Sequence, residues 1–387
     1  MNDNRVNRRG FLKLSAVAGA AFAISPVNAR ANKTERKDKM PERTLGKTGI
    51  KVPILSMGVM RADNQSIVRA AYNSGITFFD TANGYQNGKN EEMLGEFFAN
   101  KSRDSFVLGT KVKERAGTDA GRNFLEKFET SMKRLKTDYV DVLYYHAISS
   151  ADDVNCPSVV EAMVKLKKDG RVKHLGVSTH SNEPKVIAAV VDNGNYDVVL
   201  TSYNFNQGHL DALNLAIERA ASAGLGIVAM KTMAGGFLDR ERTKKVDAKA
   251  ALKWALQNPN IHTAIPGFTS FDQLEECLEA ALSPELTDDE KRFLSAGVDS
   301  LYCNGCRQCV EQCPEHLPIP EMMRAYMYNY GYKAPALAKD VIMELGVSEN
   351  PCGNCGSCEV KCTSGFHIAE KIEDITRLRN IPGEFLA

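Results

Sequence analysis

The feature that most constrains the fold is a regular alternation of strand-like and helix-like segments between residues 52 and 282. The strand-like segments are short, apolar and nearly uninterrupted, which is typical of strands that are buried on both faces. The helix-like segments carry apolar residues at three-to-four spacing and often end at Gly or Asn. Eight such units in roughly 240 residues predict an α/β fold, the (β/α)8 TIM barrel.

A doubly wound parallel sheet is the alternative fold. It usually places a G-x-G-x-x-G turn after its first strand, and the sequence has no such turn there. We therefore predict a barrel domain over residues 40–285. In barrels of this type the chemistry takes place at the carboxyl ends of the strands, so polar residues at those ends are the candidates for function.

Three consecutive predicted strands end in residues suited to chemistry. Asp80 closes the second strand, and Tyr85 lies in the Gly/Asn-rich loop that follows it. Lys111 closes the third strand and His146 closes the fourth. Because a charged residue at the end of an apolar strand is costly unless it is paired, we expect these four side chains to meet over one mouth of the barrel.

This set of side chains suits the reduction of a carbonyl group. Hydride transfer to the carbonyl carbon leaves negative charge on the oxygen, which then needs a proton. Tyr85 is the candidate acid, or the base in the reverse direction, and Lys111 is expected to lower the pKa of its phenol. Asp80 is expected to hold Lys111 in place, and His146 to orient the carbonyl oxygen through a hydrogen bond.

Five motifs between Arg43 and Leu282 make the sequence resemble the aldo-keto reductase family: "GITFFDTANGY", "GTKV", "DYVDVLYYH", "GRVKHLGVS" and "IPGFTSFDQLEE". The family's Asp-Tyr-Lys-His tetrad falls on the four residues named above. The resemblance implies an NAD(P)-dependent oxidoreductase that reduces an aldehyde or ketone, or oxidises an alcohol. A barrel that keeps the scaffold but has lost catalysis is the alternative.

The resemblance also implies a nicotinamide dinucleotide, NADP by the family's default or else NAD, bound in extended form across the barrel mouth. The positions that match its binding residues are Ser178, Thr179, Met230, Gly235, Gly236, Pro266, Gly267, Gln273 and Glu276. Thr179 stands where Asn is frequent in the family, and Met230 where an aromatic ring often stacks on nicotinamide. Gln273 occupies a position that usually carries a cation for a 2′-phosphate, so the sequence leaves NADP and NAD open.

Eight of the ten cysteines fall in two runs near the C-terminus, each with the spacing C-x2-C-x2-C-x3-C. This is the spacing of bacterial ferredoxins, in which the fourth cysteine of each run binds the other run's cluster. We predict two [4Fe–4S] clusters in a small, mainly helical ferredoxin-like domain over residues 290–387. The expected ligand sets are Cys303, Cys306, Cys309 and Cys362 for one cluster, and Cys352, Cys355, Cys358 and Cys313 for the other. Zinc is the alternative, since C-x2-C pairs also bind it.

The first 31 residues have the pattern of a signal peptide. Arg8 and Arg9 precede a short apolar stretch and an A-x-A-like end, and they resemble the twin-arginine export signal. The export machinery of that route, by resemblance, accepts proteins already folded around their cofactors, which suits iron–sulfur clusters. We expect a periplasmic protein of a bacterium, or a cytoplasmic one if these residues are not a signal.

Charge and composition limit the partners of the chain. The formal net charge is +1, so no basic excess points to nucleic acid, and we expect no stable membrane span. Because clusters move single electrons, an electron-transfer protein is an expected partner beside the small carbonyl or alcohol substrate. The alternative function is an iron–sulfur electron-transfer protein whose barrel is a non-catalytic dinucleotide-binding scaffold.

Overall fold

In this computed structural model, the described residues are 40–236, 243, 245–295, 303–353, 355 and 357–386. The predicted signal peptide over residues 1–31 lies outside these ranges. Met40–Ala387 form one compact unit. Its strands are β1 (Glu42–Thr44), β2 (Lys51–Pro53), β3 (Met57–Gly58), β4 (Phe78–Asp80), β5 (Val107–Val112), β6 (Val140–Tyr145), β7 (Val172–Thr179), β8 (Val198–Ser202), β9 (Gly226–Met230) and β10 (Thr263–Ala264).

The strands β3 to β10 form one parallel sheet in which each strand pairs with its neighbour in the sequence. Backbone hydrogen bonds at β3 and β10 close this sheet. The N–H of Ser56 donates to the carbonyl oxygen of Ala264 at 2.8 Å, and the N–H of Gly58 donates to that of Pro266 at 3.1 Å. The predicted (β/α)8 barrel is confirmed.

Helices surround the barrel and also build the C-terminal region. The barrel part contains α1 (Gln65–Asn73), α2 (Lys89–Phe98), α3 (Ala120–Leu135), α4 (Ala151–Val154), α5 (Pro157–Lys168), α6 (Glu183–Asn193), α7 (Leu210–Ser222), α8 (Ala248–Gln257), α9 (Phe271–Leu282) and α10 (Asp288–Ser295). The C-terminal region contains α11 (Gln308–Gln312), α12 (Ile319–Tyr330), α13 (Pro335–Leu345) and α14 (Ile368–Thr376). Among the described helices, none is long and apolar enough to cross a membrane.

An antiparallel hairpin of β1 and β2 precedes the barrel, and the sequence did not predict it. Leu45 and Val52 of this hairpin are fully buried in the apolar cluster that fills the barrel interior. The N–H of Lys47 donates to the carbonyl oxygen of Gly224 at 2.7 Å, just before β9 begins. The hairpin therefore closes the amino-terminal end of the barrel and leaves the carboxyl ends of the strands as the mouth.

The C-terminal region has a hydrophobic core of its own, which includes residues of α12, α13 and α14 and the two buried thiols of Cys309 and Cys313. It lies against loops at the barrel mouth. The N–H of Asn182, after β7, donates to the carbonyl oxygen of Gly305 at 3.0 Å. Lys113, after β5, forms an ion pair with Glu344 of α13 at 2.6 Å. The cysteine-bearing region thus contributes residues to the site that the barrel mouth forms.

Candidate active site and cysteine sites

Asp80 and Lys111 form a buried ion pair at the barrel mouth. They lie on the adjacent strands β4 and β5, and their side chains are only 3% and 1% exposed. The ammonium of Lys111 donates to Asp80 Oδ1 and, at 2.6 Å, to the carbonyl oxygen of Thr81. Burial raises the pKa of Asp80 and lowers the pKa of Lys111, while the attraction between the two opposes both shifts. Each side chain therefore stays charged in this buried environment because the other one neutralises it.

The loop that carries Tyr85 is fixed by hydrogen bonds to the chain after β3. Gln86 and Asn87 have left-handed backbones, with φ of 51° and 54°, so the chain turns sharply after Tyr85. The amide of Gln86 donates to the carbonyl oxygens of Met60 and Ala62 at 3.0 and 2.9 Å. This turn places the ring centroid of Tyr85 5.0 Å from the ammonium of Lys111.

His146 completes the predicted group of four. It follows β6 directly, and its N–H donates to the carbonyl oxygen of Val112 at 2.9 Å. The centroid of its ring lies 5.8 Å from that of Tyr85, with the rings nearly perpendicular at 82°. His180, at the end of β7, lies on its other side at 6.1 Å. The structure thus brings Asp80, Tyr85, Lys111 and His146 together at one mouth.

The protonation states differ in one respect from the sequence-based expectation. Burial raises the pKa of Tyr85 well above its usual value, and the nearby Asp80 and Tyr328 reinforce the rise. Lys111, which is paired with Asp80, does not reverse this rise. Burial and the charge of Lys111 lower the pKa of His146 well below its usual value. At neutral pH the site therefore holds a protonated phenol beside a neutral imidazole.

A groove of about 1440 Å³, including space open to solvent, extends from Tyr85 toward α9. Of the nine residues predicted to bind the dinucleotide, seven line it: Met230, Gly235, Gly236, Pro266, Gly267, Gln273 and Glu276. Ser178 and Thr179 are fully buried instead. Ser178 Oγ accepts from the N–H of Ala147 at 2.9 Å, and Thr179 Oγ1 donates to the carbonyl oxygen of Ser181 at 2.9 Å. The two hydroxyls support loops at the mouth rather than line the groove.

The residues that line the groove suit the binding of an extended dinucleotide. Gly236 has a φ of +82°, and a Cβ there would meet no atom within 4 Å, so there is open space beside it. Its N–H already donates to the carbonyl oxygen of Met233 at 2.9 Å. The amide oxygen of Gln273 accepts from the N–H of Thr269 at 2.8 Å at the rim of the groove. Lys245, which the sequence analysis did not single out, also lines the groove and adds a cation for phosphate groups.

Sequence reasoning also missed the residues that the cysteine-bearing region contributes. Tyr328 and Tyr332 line the same groove as Tyr85. The ammonium of Lys231, after β9, lies 3.2 Å from the hydroxyl of Tyr328. Although burial alone would raise the pKa of Tyr328, the charges of Lys231 and Arg324 outweigh it and lower that pKa. The signal in the sequence is the aromatic pattern of α12, which by itself does not distinguish a core helix from a lining of the mouth.

Four thiols of the predicted first ligand set, Cys303, Cys306, Cys309 and Cys362, line one cavity of the C-terminal region. Burial raises the pKa of Cys303 to about 12 and that of Cys309 to about 11, and neighbouring thiols of the set add to both shifts. The cations Arg307 and Lys361 line the same cavity, as suits an anionic cluster. These residues fit a [4Fe–4S] cluster in ligand number and charge.

The predicted second set is more open. Burial raises the pKa of Cys352, and Cys358, Cys355 and Cys313 add to the rise because they lie close to it. Cys313 is buried, whereas Cys358 is exposed. Within the described ranges, no three His, Cys, Asp or Glu side chains have the spacing for a single metal ion. The four thiols of this set thus act on one another electrostatically, and their assignment as one ligand set stays a prediction.

Comparison with known proteins decides the family. The model of the aldo/keto reductase family matches residues 52–250. The chain belongs to the aldo/keto reductase family. A second model, the 4Fe-4S dicluster domain, matches residues 302–367 and contains all eight clustered cysteines. The chain is therefore an oxidoreductase of this family with an iron–sulfur domain at its C-terminal end.

Relatives of this reductase match the barrel. The L-galactose dehydrogenase of Arabidopsis thaliana is 27% identical over 66% of this chain and 93% of its own length. The L-glyceraldehyde 3-phosphate reductase of Escherichia coli K12 is 28% identical over 53% of this chain and 64% of its own. The holo form of an aldo-keto reductase from Bacillus halodurans superposes with a TM-score of 0.58 at 23% identity, covering 70% of this chain and 99% of that one. This last similarity supports the barrel fold.

Proposed function

We propose that this reductase transfers a hydride between a nicotinamide dinucleotide, NADP or NAD, and the carbonyl carbon of an aldehyde or ketone. The observation that carries the proposal is the position of Tyr85, whose phenol stands at the barrel mouth beside the buried Asp80–Lys111 pair and His146. The bound dinucleotide supplies or accepts the hydride. The protein's own residues bind the carbonyl oxygen and supply the proton that its negative charge requires.

Each member of the group has a separate role in this proposal. Tyr85 donates its proton to the carbonyl oxygen, because its raised pKa keeps the phenol protonated at neutral pH. His146 is neutral and donates an N–H hydrogen bond that orients the same oxygen. Lys111, fixed by Asp80, places a positive charge beside the phenol and stabilises the phenolate left after proton transfer.

The dinucleotide would lie in the groove that the seven lining residues of the predicted set define. Gly235, Gly236 and Gly267 line the groove without side chains, which leaves room for its phosphates, and Lys245 supplies a cation nearby. Lys245 favours NADP, since the 2′-phosphate of that cofactor needs a cation. Thus Lys245, which lies outside the family's usual positions, would supply the positive charge that is absent at Gln273.

The C-terminal region would hold two [4Fe–4S] clusters, one on each crossed set of four cysteines. Each cluster would carry single electrons, whereas a hydride is a pair, so its redox partner is proposed to be an electron-transfer protein rather than the bound dinucleotide. The twin-arginine machinery would export the folded, cluster-loaded protein to the periplasm. That route protects the thiols, which an oxidising compartment would otherwise convert to disulfides.

The test of this function needs anaerobic protein with intact clusters. NADPH and NADH binding are measured by fluorescence titration, and dinucleotide oxidation is followed with a panel of aldehydes and ketones. Binding of a dinucleotide together with carbonyl-dependent oxidation of it supports the proposal. Absence of any dinucleotide binding contradicts it. Iron, zinc and acid-labile sulfide are measured on the same sample, because zinc without sulfide contradicts the cluster proposal.

The second candidate is an electron-transfer protein whose barrel binds a dinucleotide without reducing a carbonyl. Two observations favour it: Met230 occupies the position of a stacking aromatic ring, and Tyr328 and Tyr332 of the cysteine-bearing region line the groove. This candidate predicts dinucleotide binding with no carbonyl turnover. It also predicts that NADPH reduces the clusters in the absence of substrate, which anaerobic absorbance near 400 nm would detect.

A further inference from the structure

A second set of basic side chains lies beside the active site, and the proton transfer proposed for Tyr85 does not use it. Lys231 follows β9, and Arg324 lies on α12 of the cysteine-bearing region. Both line a small cavity next to the groove, together with His180. His180 and Lys231 also line the groove itself, so this cavity opens onto the place where the substrate carbonyl would bind.

Among the residues that the structure describes, Arg324 has no hydrogen-bond or ion-pair partner. The acid that shares its cavity, Glu321, is instead paired with Arg307 at 3.0 Å and accepts from the hydroxyl of Ser181 at 3.3 Å. A guanidinium has five donors in a planar fork, and leaving them unused in a half-buried place is unfavourable.

The charge of Arg324 is directed at the barrel mouth. It contributes to the lowered pKa of both His146 and His180, which shows that it acts on the same space as the catalytic group. It also opposes the charge of Lys231, whose pKa burial lowers and Arg324 lowers further. His180 adds a buried Nδ1 atom that has no hydrogen-bond partner among the described residues. Two cations and an unsatisfied imidazole nitrogen thus face one cavity, and Glu321, whose Oε2 has no hydrogen-bond partner among the described residues, lines it as well.

We propose that the substrate carries an oxyanion, a carboxylate or a phosphate, in addition to its carbonyl group, and that Lys231 and Arg324 bind it. The proposal rests on the proposed reductase function, because the anion site adjoins Tyr85 and positions the carbonyl there. An oxyanion between the two side chains would relieve their repulsion and accept charge-assisted hydrogen bonds from both. Specificity for charged substrates would then come from the cysteine-bearing region, which contributes Arg324.

The first test compares matched substrates on cluster-loaded enzyme. Anaerobic kcat/KM values are measured for 4-formylbenzoate and for its neutral isostere 4-formylbenzamide, and 4-formylphenyl phosphate serves as the phosphate arm. For the wild type, kcat/KM with whichever of the two anionic aldehydes reacts faster is expected to exceed kcat/KM with the neutral amide by about 10- to 100-fold. This is the range expected from one or two charge-assisted hydrogen bonds. Arg324→Gln is expected to remove most of that preference through KM and to leave the amide unchanged. Lys231→Gln is expected to reduce the preference for the anion as well.

Two controls separate the anion site from a structural role. Arg324→Lys keeps the charge and is expected to restore part of the preference. Arg377→Gln removes an exposed arginine of the same region, which is paired with Glu373 on the surface, and is expected to change nothing. An unchanged preference for the charged aldehyde in Arg324→Gln would overturn the proposal. A shift in cluster reduction potential without a change in preference would likewise overturn it, since Arg324 would then serve the cluster.

A binding measurement keeps the test independent of turnover. Calorimetric titration of benzoate and of inorganic phosphate into the Tyr85→Phe variant is expected to show saturable binding that Arg324→Gln, added to it, weakens about tenfold or more. Loss of turnover in every enzyme with this binding intact would contradict the reductase function and keep the anion site. Turnover of neutral carbonyls without any such binding would contradict the anion site and keep the reductase function.

Discussion

In the barrel mouth, Lys111 already has two protein oxygens as partners, whereas in the cysteine-bearing region the thiols face one another across a cavity. Strand register and a loop held by Gln86 fix the barrel group without help from a ligand. Burial raises the pKa of Cys303 to about 12 and that of Cys309 to about 11, so these two thiols favour the protonated form until a metal supplies positive charge. The barrel site is therefore organised by the polypeptide, whereas we expect the cysteine sites to depend on the proposed clusters.

Because of this difference, mutations in the two regions are expected to affect different properties of the protein. A change in the barrel group removes a charge from a dry, preorganised pair, so it acts on both stability and catalysis. A change in a cysteine removes one of four ligands, so it acts on metal content first. The predictions that follow are ordered by the size of the effect.

The largest effect is expected from Asp80→Asn. It leaves the ammonium of Lys111 buried without its counter-charge, which costs about 3–5 kcal/mol in the free energy of unfolding. Urea denaturation measures this change. The control is Asp192→Asn, which breaks the exposed pair with Arg219 and is expected to cost about 1 kcal/mol or less. Equal changes in the free energy of unfolding for the two substitutions would show that the buried pair stabilises the fold no more than the exposed pair does.

Substitution of single cysteines is expected to remove one cluster and leave the other. Cys306→Ser should lower the iron content from about eight to about four atoms per chain, and Cys358→Ser should do the same at the other site. Cys156→Ser, which changes a buried barrel thiol, should leave iron unchanged. Iron and acid-labile sulfide analysis decides. Full iron in Cys306→Ser would contradict the assignment of Cys306 as a cluster ligand.

Lys245→Gln is expected to raise the KM for NADPH about tenfold and to leave the KM for NADH unchanged. The reason is that a cation in the groove interacts with the 2′-phosphate, which only NADPH carries. Steady-state kinetics with both cofactors at a fixed carbonyl concentration measures the split. The matched control is Lys249→Gln, which removes a surface lysine paired with Glu279. A parallel rise for both cofactors in Lys245→Gln would point to a role in loop structure.

The smallest effect is expected from pH. Since the pKa of His146 lies well below 6.5 and that of Tyr85 well above 10, neither group changes charge between pH 6 and 8. The rate of carbonyl reduction should then vary by less than about twofold over this window, and fall only as pH rises through the raised pKa of Tyr85. Alcohol oxidation needs the phenolate and should increase with pH. An acid limb near pH 6.5 in the reduction profile would show that His146 ionises.

The sequence was sufficient for features that depend on local pattern. The eight strand–helix units specify the barrel, and adjacent parallel strands bring Asp80 and Lys111 together once the fold is known. Contacts between distant segments could not be predicted this way. The pairing of Lys231 with Tyr328 depends on how α12 packs on the mouth, which no periodicity encodes. The direction in which the pKa of Tyr85 shifts could not be predicted either, because burial and the pairing of Lys111 with Asp80 are properties of the folded site.

The most direct test of the catalytic role of the barrel mouth is anaerobic turnover by Tyr85→Phe compared with wild type and Tyr139→Phe. Tyr139 precedes β6 at the closed end of the barrel, where its ring contacts Arg103 and Lys173, so its substitution tests for nonspecific damage. We expect Tyr85→Phe to lower kcat about 10²- to 10⁴-fold with NADPH affinity retained, and Tyr139→Phe to keep near-normal turnover. Equal turnover by Tyr85→Phe and wild type would contradict the assignment of Tyr85 as the acid.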